Sequence, residues 1–200
     1  MFNPRFLVVS LGNPLPKYAS LHSAGHFALN GLAPALRHPH FTETRIGKYT
    51  ALVSRGPKYT LIQSPTLMNV SGPFVARAWQ EALREHGDDA ASSLSLVVLH
   101  DELERDFGVV RLTAWERSHK GHNGMRSVQA HVKQDKFPVS PLARIALGIG
   151  RPEERDPETV SRYVLGPISG EQRRVLEEDV PGMVVKCLAR LEEEWRAEVQ

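Results

Sequence analysis

The sequence has few of the features that build cross-linked, membrane-embedded or secreted proteins. One cysteine, Cys187, stands among 200 residues, which excludes an internal disulfide framework and a multi-cysteine zinc site. No run of 18 apolar residues is present, so the sequence predicts no membrane-spanning helix. The first residues lack a charged segment followed by a long apolar one, so no secretory signal is expected. We therefore expect the protein in the cytoplasm, or in a mitochondrion if its source is eukaryotic.

Several familiar catalytic signatures are also missing. The sequence has no GxSxG nucleophile motif, no glycine-rich loop ending in Gly-Lys-Ser/Thr, no GxGxxG and no HExxH. His100-Asp101-Glu102 matches the beginning of a zinc-deaminase motif, but the paired cysteines of that site are absent. The sequence thus predicts neither a metal ion nor another cofactor.

The composition is that of an ordinary globular protein, with 41% hydrophobic and 24% charged residues. Apolar runs alternate with stretches of helical period, which predicts one α/β domain over residues 1–200. The predicted strands are Phe6–Leu11, Lys48–Val53, Lys58–Gln63, Leu94–Leu99, Val109–Thr113 and Arg144–Ile149. The short connection Ser54–Pro57 predicts a hairpin, so the sheet should be mixed rather than purely parallel.

Helical periodicity covers four segments of the chain. They are Ser23–Arg37, Ser71–His86, Gly121–Lys133 and Glu171–Arg196. Pro34 should kink or end the first helix, and Ser71 is a candidate N-cap of the second. Pro181 interrupts the last segment, so we expect a helix, a break and a second helix within about residues 171–197.

Charge is segregated along the chain, although the net charge is only +2. Residues 1–80 carry a net charge of +7 and residues 105–150 a net charge of +5, while residues 81–104 and 151–200 are acidic. If the two basic segments share a face, they would attract a polyanion such as a nucleic acid. The alternative is a mixed, solvated surface, which is also our interpretation of the acidic residues Glu192–Glu194.

Polar residues follow the predicted strands, at the edge where α/β proteins bind ligands. They are Asn13, His22, Asn69, His100, Asp101, His122 and Asn123. A histidine held by a carboxylate can take a proton from water, and asparagine amides can donate to a developing oxyanion. Each residue also has a simpler explanation, because Asn-Pro and Asn-Gly are ordinary turn sequences and most histidines are structural or solvated. The residues alone favour a hydrolase that activates water.

Several short motifs occur in one order along residues 6–166. They are Leu11-Gly12-Asn13-Pro14, Tyr18, His22-Ser23-Ala24-Gly25, Pro65-Thr66-Leu67-Met68-Asn69-Val70-Ser71-Gly72, His100-Asp101-Glu102-Leu103, Gly121-His122-Asn123-Gly124, Arg144-Ile145-Ala146-Leu147-Gly148-Ile149-Gly150 and Tyr163-Val164-Leu165-Gly166. As an ordered set, these motifs resemble the bacterial-type peptidyl-tRNA hydrolases. The resemblance implies a single-domain α/β/α sandwich with a mixed, twisted central sheet. It also implies metal-free hydrolysis of the ester that joins a peptide to the 3′ end of tRNA.

The resemblance assigns roles to single residues. His22 resembles the catalytic base, Asp101 the carboxylate that supports it, and Asn13 the residue that distinguishes N-blocked from free aminoacyl-tRNA. Contact with the peptidyl-tRNA end is implied for Tyr18, Leu67, Asn69, His122 and Asn123. Lys120 and Arg126 flank the GHNG turn, and we expect them to contact phosphate, with a solvated charge as the alternative.

The sequence departs from the family pattern at several positions. The spacing from Asn13 to His22 is one residue shorter than usual, and Leu15 stands where a glycine is usual. Ser23 replaces an asparagine, which should remove one amide contact. Residues 115–120 replace a glycine-rich segment before the GHNG turn. These departures indicate a eukaryotic, fungal branch of the family.

Three functions therefore compete. The first is the hydrolase, acting as a monomer on peptidyl-tRNA and away from membranes. The second is a non-catalytic RNA-binding module on the same fold, which would be free to lose His22, Asp101 or Asn13, although all three are present. The third is an esterase of small N-acyl amino esters, against which the two basic segments argue.

Overall fold

A single seven-stranded sheet organises the computed structural model, which describes residues 3–87 and 93–199. The strands are β1 (Arg5–Ser10), β2 (Thr42–Ile46), β3 (Tyr49–Arg55), β4 (Tyr59–Gln63), β5 (Leu94–Glu102), β6 (Val110–Ala114) and β7 (Leu142–Gly148). Their order across the sheet is β2-β3-β4-β1-β5-β7-β6. The central strands β4, β1, β5 and β7 are parallel, whereas β2 and β3 on one side and β6 on the other pair antiparallel. The predicted hairpin and the predicted mixed sheet are confirmed.

Helices cover both faces of the sheet. They are α1 (Ala24–Ala35), α2 (Ser71–His86), α3 (Asn123–His131), α4 (Pro157–Leu165), α5 (Gly170–Arg174) and α6 (Val180–Val199). One apolar core packs α1 and α6 against the sheet, and a second packs α2 and α3 against its other face. Alternate residues of β1 supply the two cores, since Phe6 and Val8 belong to the first and Leu7 and Val9 to the second. Within the described ranges, no helix is long and apolar enough to cross a membrane.

The predicted break at Pro181 is wrong. The chain stays helical from Gly170 to Val199, because a π-helical turn, Val175–Asp179, joins α5 to α6. In this turn the Val180 amide reaches back to the Val175 carbonyl. The wider turn precedes Pro181, which has no N–H to donate and would clash with a carbonyl in a regular helix. The bulge thus absorbs the proline without ending the helix.

The bulge has a partner on α1. A Cβ atom placed on Gly31 would lie 1.9 Å from the Glu177 carbonyl oxygen and 2.6 Å from Pro181 Cγ. The two helices therefore approach to a distance that only a glycine allows at this point. This contact seats α1, whose first residues adjoin the candidate site.

Three further differences separate the structure from the sequence predictions. Ser71 is not the N-cap of α2, because the cap is Val70 and the Ser71 hydroxyl donates to the Met68 carbonyl instead. Strand β5 is longer than predicted and includes His100 and Asp101 among its last three residues. Strand β2 and helix α4 were not predicted.

Candidate active site

A cleft of about 640 Å³ opens where β1 and β5 end. Segments that follow β1, β4 and β5 line it, together with the start of α3 and one face of α4. Eight predicted site residues lie in its lining: Asn13, His22, Leu67, Asn69, Asp101, Lys120, His122 and Asn123. Parallel strands end at the same edge of a sheet, which explains why distant segments converge here.

His22 and Asp101 form the central pair of the cleft. His22 lies in the 3-10 turn Leu21–Ser23 that precedes α1, and Asp101 is the penultimate residue of β5. The His22 Nδ1 atom is 3.0 Å from Asp101 Oδ1 and 2.9 Å from Oδ2. Asp101 is only 2% exposed, while His22 keeps a partly exposed edge. One ring nitrogen of His22 is therefore held, and the other is left for chemistry.

The electrostatics of the pair favour a carboxylate beside a basic imidazole. Burial opposes the charge of His22, but the charge of Asp101 and its hydrogen bond outweigh burial and raise the pKa of His22 above its ordinary value. Burial alone would raise the pKa of Asp101, but the neighbouring His22 and His122 rings hold that pKa far below the usual range. Asp101 is thus ionised, so the His22 proton sits on Nδ1 and Nε2 is free to accept a proton.

His122 binds the same carboxylate from the opposite side. It is the N-cap of α3, and its Nδ1 atom accepts the Met125 N–H at 3.1 Å. Because Nδ1 is an acceptor there, the ring proton of the neutral imidazole is on Nε2. That atom lies 2.9 Å from Asp101 Oδ1 and donates to it. The start of α3 therefore fixes both the place and the tautomer of His122.

His100 lies behind this group. Its Nδ1 atom is 2.7 Å from the Asp101 carbonyl oxygen, and its ring meets His122 edge-on at 5.1 Å between centroids. Burial lowers the pKa of His100 to about 3, so the ring is neutral and donates from Nδ1. Among the described residues, His100 Nε2 has no hydrogen-bond partner. We interpret His100 as a buried residue that holds the end of β5, where Asp101 lies.

Two hydrogen bonds fix the orientation of Asn13 at the cleft. Its backbone N–H donates to Ser23 Oγ at 3.0 Å, and its Oδ1 accepts the Met68 N–H at 3.0 Å. Only the amide oxygen can accept from an N–H, which assigns the orientation of the side chain. Ser23, at the position where the sequence suggested a lost contact, thus binds the Asn13 backbone.

Two predicted residues lie outside the cleft lining. The Tyr18 hydroxyl donates to Gln63 Oε1 at 3.3 Å and accepts from Asn30 Nδ2 at 3.2 Å, while its ring faces His26. Arg126 is exposed on α3 and is absent from the lining. The structure therefore does not bring Tyr18 or Arg126 to His22 and Asp101.

Helix α4 contributes a part of the cleft that sequence reasoning missed. Pro157, Val160, Val164 and Leu165 add apolar surface to the lining, as does Leu103. A usable signal was present, because Asp156 caps the helix by accepting the Thr159 N–H at 2.9 Å and Pro157 is its first residue. Lys17, His119 and Arg151 also line the cleft and were not predicted.

The His22, Asp101 and His122 donor atoms lie within 4.8 Å of one another, as in a metal site. Their hydrogen bonds do not fit that use. A metal would displace the protons on His22 Nδ1 and His122 Nε2, and moving the His122 proton to Nδ1 would break the cap of α3. The arrangement suits proton transfer.

Comparisons with known proteins agree on one family. The profile described as peptidyl-tRNA hydrolase matches residues 7–200. A peptidyl-tRNA hydrolase from Sorangium cellulosum is 36% identical over 85% of this chain and 71% of its own length. A probable peptidyl-tRNA hydrolase from Schizosaccharomyces pombe is 32% identical over 87% of this chain and 77% of its own. The crystal structure of a point mutant of the Acinetobacter baumannii peptidyl-tRNA hydrolase covers 98% of this chain and 93% of its own, with 25% identity and a TM-score of 0.70.

Proposed function

The chain belongs to the peptidyl-tRNA hydrolase family, and on that basis we propose that it hydrolyses the ester between a peptide and the 3′-terminal ribose of tRNA. The observation that carries this proposal is the half-buried His22 beside the buried Asp101 carboxylate, at 2.9 Å in an open cleft. Such a pair supplies a base for water without a covalent nucleophile.

The proposed reaction begins with a water molecule hydrogen-bonded to His22 Nε2. His22 takes one proton as the water oxygen attacks the ester carbonyl, and Asp101 stabilises the imidazolium that forms. The tetrahedral intermediate collapses, the C–O bond to the ribose breaks, and His22 returns its proton to the ribose oxygen. The products are a peptide with a free carboxyl group and tRNA with a free hydroxyl. Asn69 and Asn123, in the same cleft, are proposed to donate to the oxyanion.

Asn13 is proposed to select N-blocked substrates. Because its Oδ1 is engaged by the Met68 N–H, the group that it offers to substrate is the Nδ2 amide. A peptide carbonyl can accept from this amide, but the ammonium of a free aminoacyl group finds no acceptor there. Desolvating an unpaired ammonium costs several kcal/mol or more, so unblocked aminoacyl-tRNA should be a poor substrate.

The RNA is proposed to bind through its backbone. Lys17, Lys120 and Arg151 stand in the cleft lining, and phosphate contacts of this type position a substrate without reading sequence. Lys120 and Arg126 remain proposed phosphate contacts, and Leu67 remains a proposed neighbour of the peptidyl-tRNA end. We do not propose that role for Tyr18, because Gln63 and Asn30 hold it outside the cleft lining. We propose that the protein acts as a monomer.

The test is the release of N-acetyl-amino acid from N-acetyl-aminoacyl-tRNA. We expect the protein to catalyse it, and His22→Ala to lower kcat by about 10²–10⁴-fold while tRNA binding, measured by filter retention, stays within about threefold of wild type. His40→Ala, at an exposed histidine, is the matched control and should retain full activity.

Two outcomes would contradict the proposal. Tight tRNA binding without any hydrolysis would indicate the RNA-binding module. Equal cleavage of a small N-acetyl amino ester, insensitive to salt, would indicate an esterase without an RNA role.

A further inference from the structure

A buried histidine that the proposed mechanism does not use lies directly beneath the cleft. His26, in the first turn of α1, is 2% exposed. Its Nδ1 atom is 2.7 Å from Ser10 Oγ, at the end of β1, and its ring lies against Gly12 and Tyr18 of the first loop (residues 11–20). The Tyr18 hydroxyl in turn binds Gln63, the last residue before the second loop (residues 64–70), so His26 supports the first loop where that loop is tied to the second.

We propose that His26 is a positioning residue that clamps these two loops and thereby aims the Asn13 amide, which sets the selectivity for N-blocked substrates. This inference rests on the proposed function. Asn13 belongs to the first loop and Met68 to the second, so the 3.0 Å bond from Met68 N–H to Asn13 Oδ1 crosses between the two loops. This bond forms only while His26 holds the first loop at the right distance from the second.

The first loop sits on the His26 ring at two points. A Cβ atom placed on Gly12 would lie 2.3 Å from His26 Cδ2 and 2.5 Å from Nε2. The ring thus supports the backbone immediately before Asn13, and a glycine is needed for that approach. The Tyr18 ring stacks on His26 at 5.6 Å between centroids, with 20° between the planes. The loop is therefore supported on both sides of Asn13.

The Tyr18 contact ties the clamp to β4. Asn30, one turn after His26 on α1, donates to the Tyr18 hydroxyl and accepts from Gln63 Nε2 at 2.6 Å. Tyr18 donates in turn to Gln63 Oε1. Gln63 is the last residue of β4, and the second loop begins after it. This closed polar ring resists any change in the distance between the loops.

The chemistry of a neutral imidazole suits this position. Burial lowers the pKa of His26 to about 3, so the ring carries one donor and one acceptor nitrogen at neutral pH. Its Nδ1 atom can accept from the Ser10 hydroxyl. A phenylalanine would fill the space without this bond, whereas a glutamine could keep it.

Selectivity follows from which atom of Asn13 faces the cleft. While Met68 N–H holds Oδ1, the Nδ2 amide is the Asn13 group that remains for the substrate. If the loops separate, the amide can turn and present its oxygen, which accepts from the ammonium of an unblocked substrate. A loosened clamp should therefore admit free aminoacyl-tRNA and weaken the binding of N-blocked substrate.

The experiment measures kcat/KM for N-acetyl-aminoacyl-tRNA and for the same tRNA with an unblocked amino acid. For His26→Phe we expect the ratio of the two values to fall about tenfold, the effect of one redirected hydrogen bond, with the larger change in KM for the N-blocked substrate. For His26→Gln the ratio should lie between wild type and His26→Phe. The pH profile of kcat should keep its inflection, since neither variant touches His22 or Asp101.

Two controls separate positioning from general damage. Ser95→Ala removes a buried hydroxyl that donates to the Pro141 carbonyl at 2.8 Å, at the far end of β5, and should lower Tm without changing the ratio. In an Asn13→Ala background, His26→Phe should leave the ratio unchanged, because its effect passes through Asn13.

Three results would overturn the inference. They are an unchanged ratio in both His26 variants, an equal fall in Ser95→Ala, and a His26 effect that simply adds to that of Asn13→Ala. If His26→Phe fails to fold, His26→Gln alone decides the first point. A wild-type protein that shows no hydrolysis refutes the proposed function instead, whereas an active and selective wild type with unmoved variants refutes only the role of His26.

Discussion

Mild acid should destabilise this protein through two buried histidines. The pKa values of His26 and His100 are lowered to about 3 in the folded state, and burial is the main cause in both cases. In the unfolded chain each ring returns to the ordinary value of 6.5. Between these values the unfolded state binds a proton that the folded state refuses, so the free energy of unfolding falls as pH is lowered.

The magnitude follows from the width of that interval. Each pH unit below 6.5 costs about 1.4 kcal/mol per histidine, so at about pH 4.5 each ring lowers the free energy of unfolding by about 3 kcal/mol. Both rings together lower it by about 5–6 kcal/mol, a large part of the 5–15 kcal/mol typical of a domain. Asp101, whose pKa is lowered, keeps its stabilising effect until pH falls below 3.8. His22, whose pKa is raised, acts in the opposite direction and gains stability on acidification.

Urea unfolding at about pH 7 and about pH 4.5 measures the difference. His26→Gln removes one titrating ring and should cut the loss by about half. His40→Gln, at an exposed histidine, should leave the wild-type loss unchanged. A wild-type loss below about 1 kcal/mol, or a full loss in His26→Gln, would refute the reasoning, because the rings would then not be neutral and buried.

Three other outcomes can be measured directly. Because catalysis needs unprotonated His22, kcat/KM should rise with pH through an apparent pKa above 6.5. Asp101→Asn should move that inflection to lower pH and slow turnover about 10²–10⁴-fold. An inflection that does not move would contradict the role of Asp101. Gly31→Ala should lower the free energy of unfolding by about 1–3 kcal/mol or more, because the added methyl group overpacks against the Glu177 carbonyl. Gly182→Ala, where no described atom lies within 4 Å, should instead raise it by up to about 1 kcal/mol. Equal effects of the two variants in urea titrations would contradict the contact at the π-helical turn. Raising salt should lower kcat/KM for N-acetyl-aminoacyl-tRNA but not for a small N-acetyl amino ester, and parallel curves would argue against phosphate contacts.

The strands that the sequence predicted are those whose burial requires a run of apolar residues. Runs such as Leu94–Leu99 are apolar because both sheet faces are covered by helices. Strand β2, Thr42–Ile46, escaped prediction because it is an edge strand and four of its five residues are not buried. Its sequence carries no apolar run, and its pairing with β3 is set by the tertiary structure and not by a local sequence pattern.

At Pro181 a correct local rule gave a wrong result. Proline does lack the N–H that a regular helix requires, but this rule does not cover a π-helical turn that directly precedes the proline. The bulge at Val175–Asp179 packs closely against Gly31, which lies about 150 residues earlier in the chain. Sequence periodicity near Pro181 cannot report that contact.

The sequence predicted most members of the candidate site and the pairing of His22 with Asp101, but not the other contacts of these residues. Motif order selected His22, Asp101 and Asn13, which the structure gathers in one cleft. It gave no sign that Tyr18 faces away, since the orientation of that ring is set by Asn30 and Gln63. Nor did it show that Asp101 accepts from two imidazoles, because contacts between side chains of distant segments leave no local pattern.

The two contacts of Asp101 determine which nitrogen of each imidazole ring carries the proton. The series starts at the Met125 backbone N–H, whose proton cannot move, and this donor makes His122 Nδ1 an acceptor. The His122 proton is then on Nε2 and points at Asp101, which is left to accept the Nδ1 proton of His22 as well. The unprotonated nitrogen at the open end is His22 Nε2. The first turn of α3 thus fixes the tautomer of His122, while the ionised Asp101 carboxylate, which can only accept, fixes that of His22.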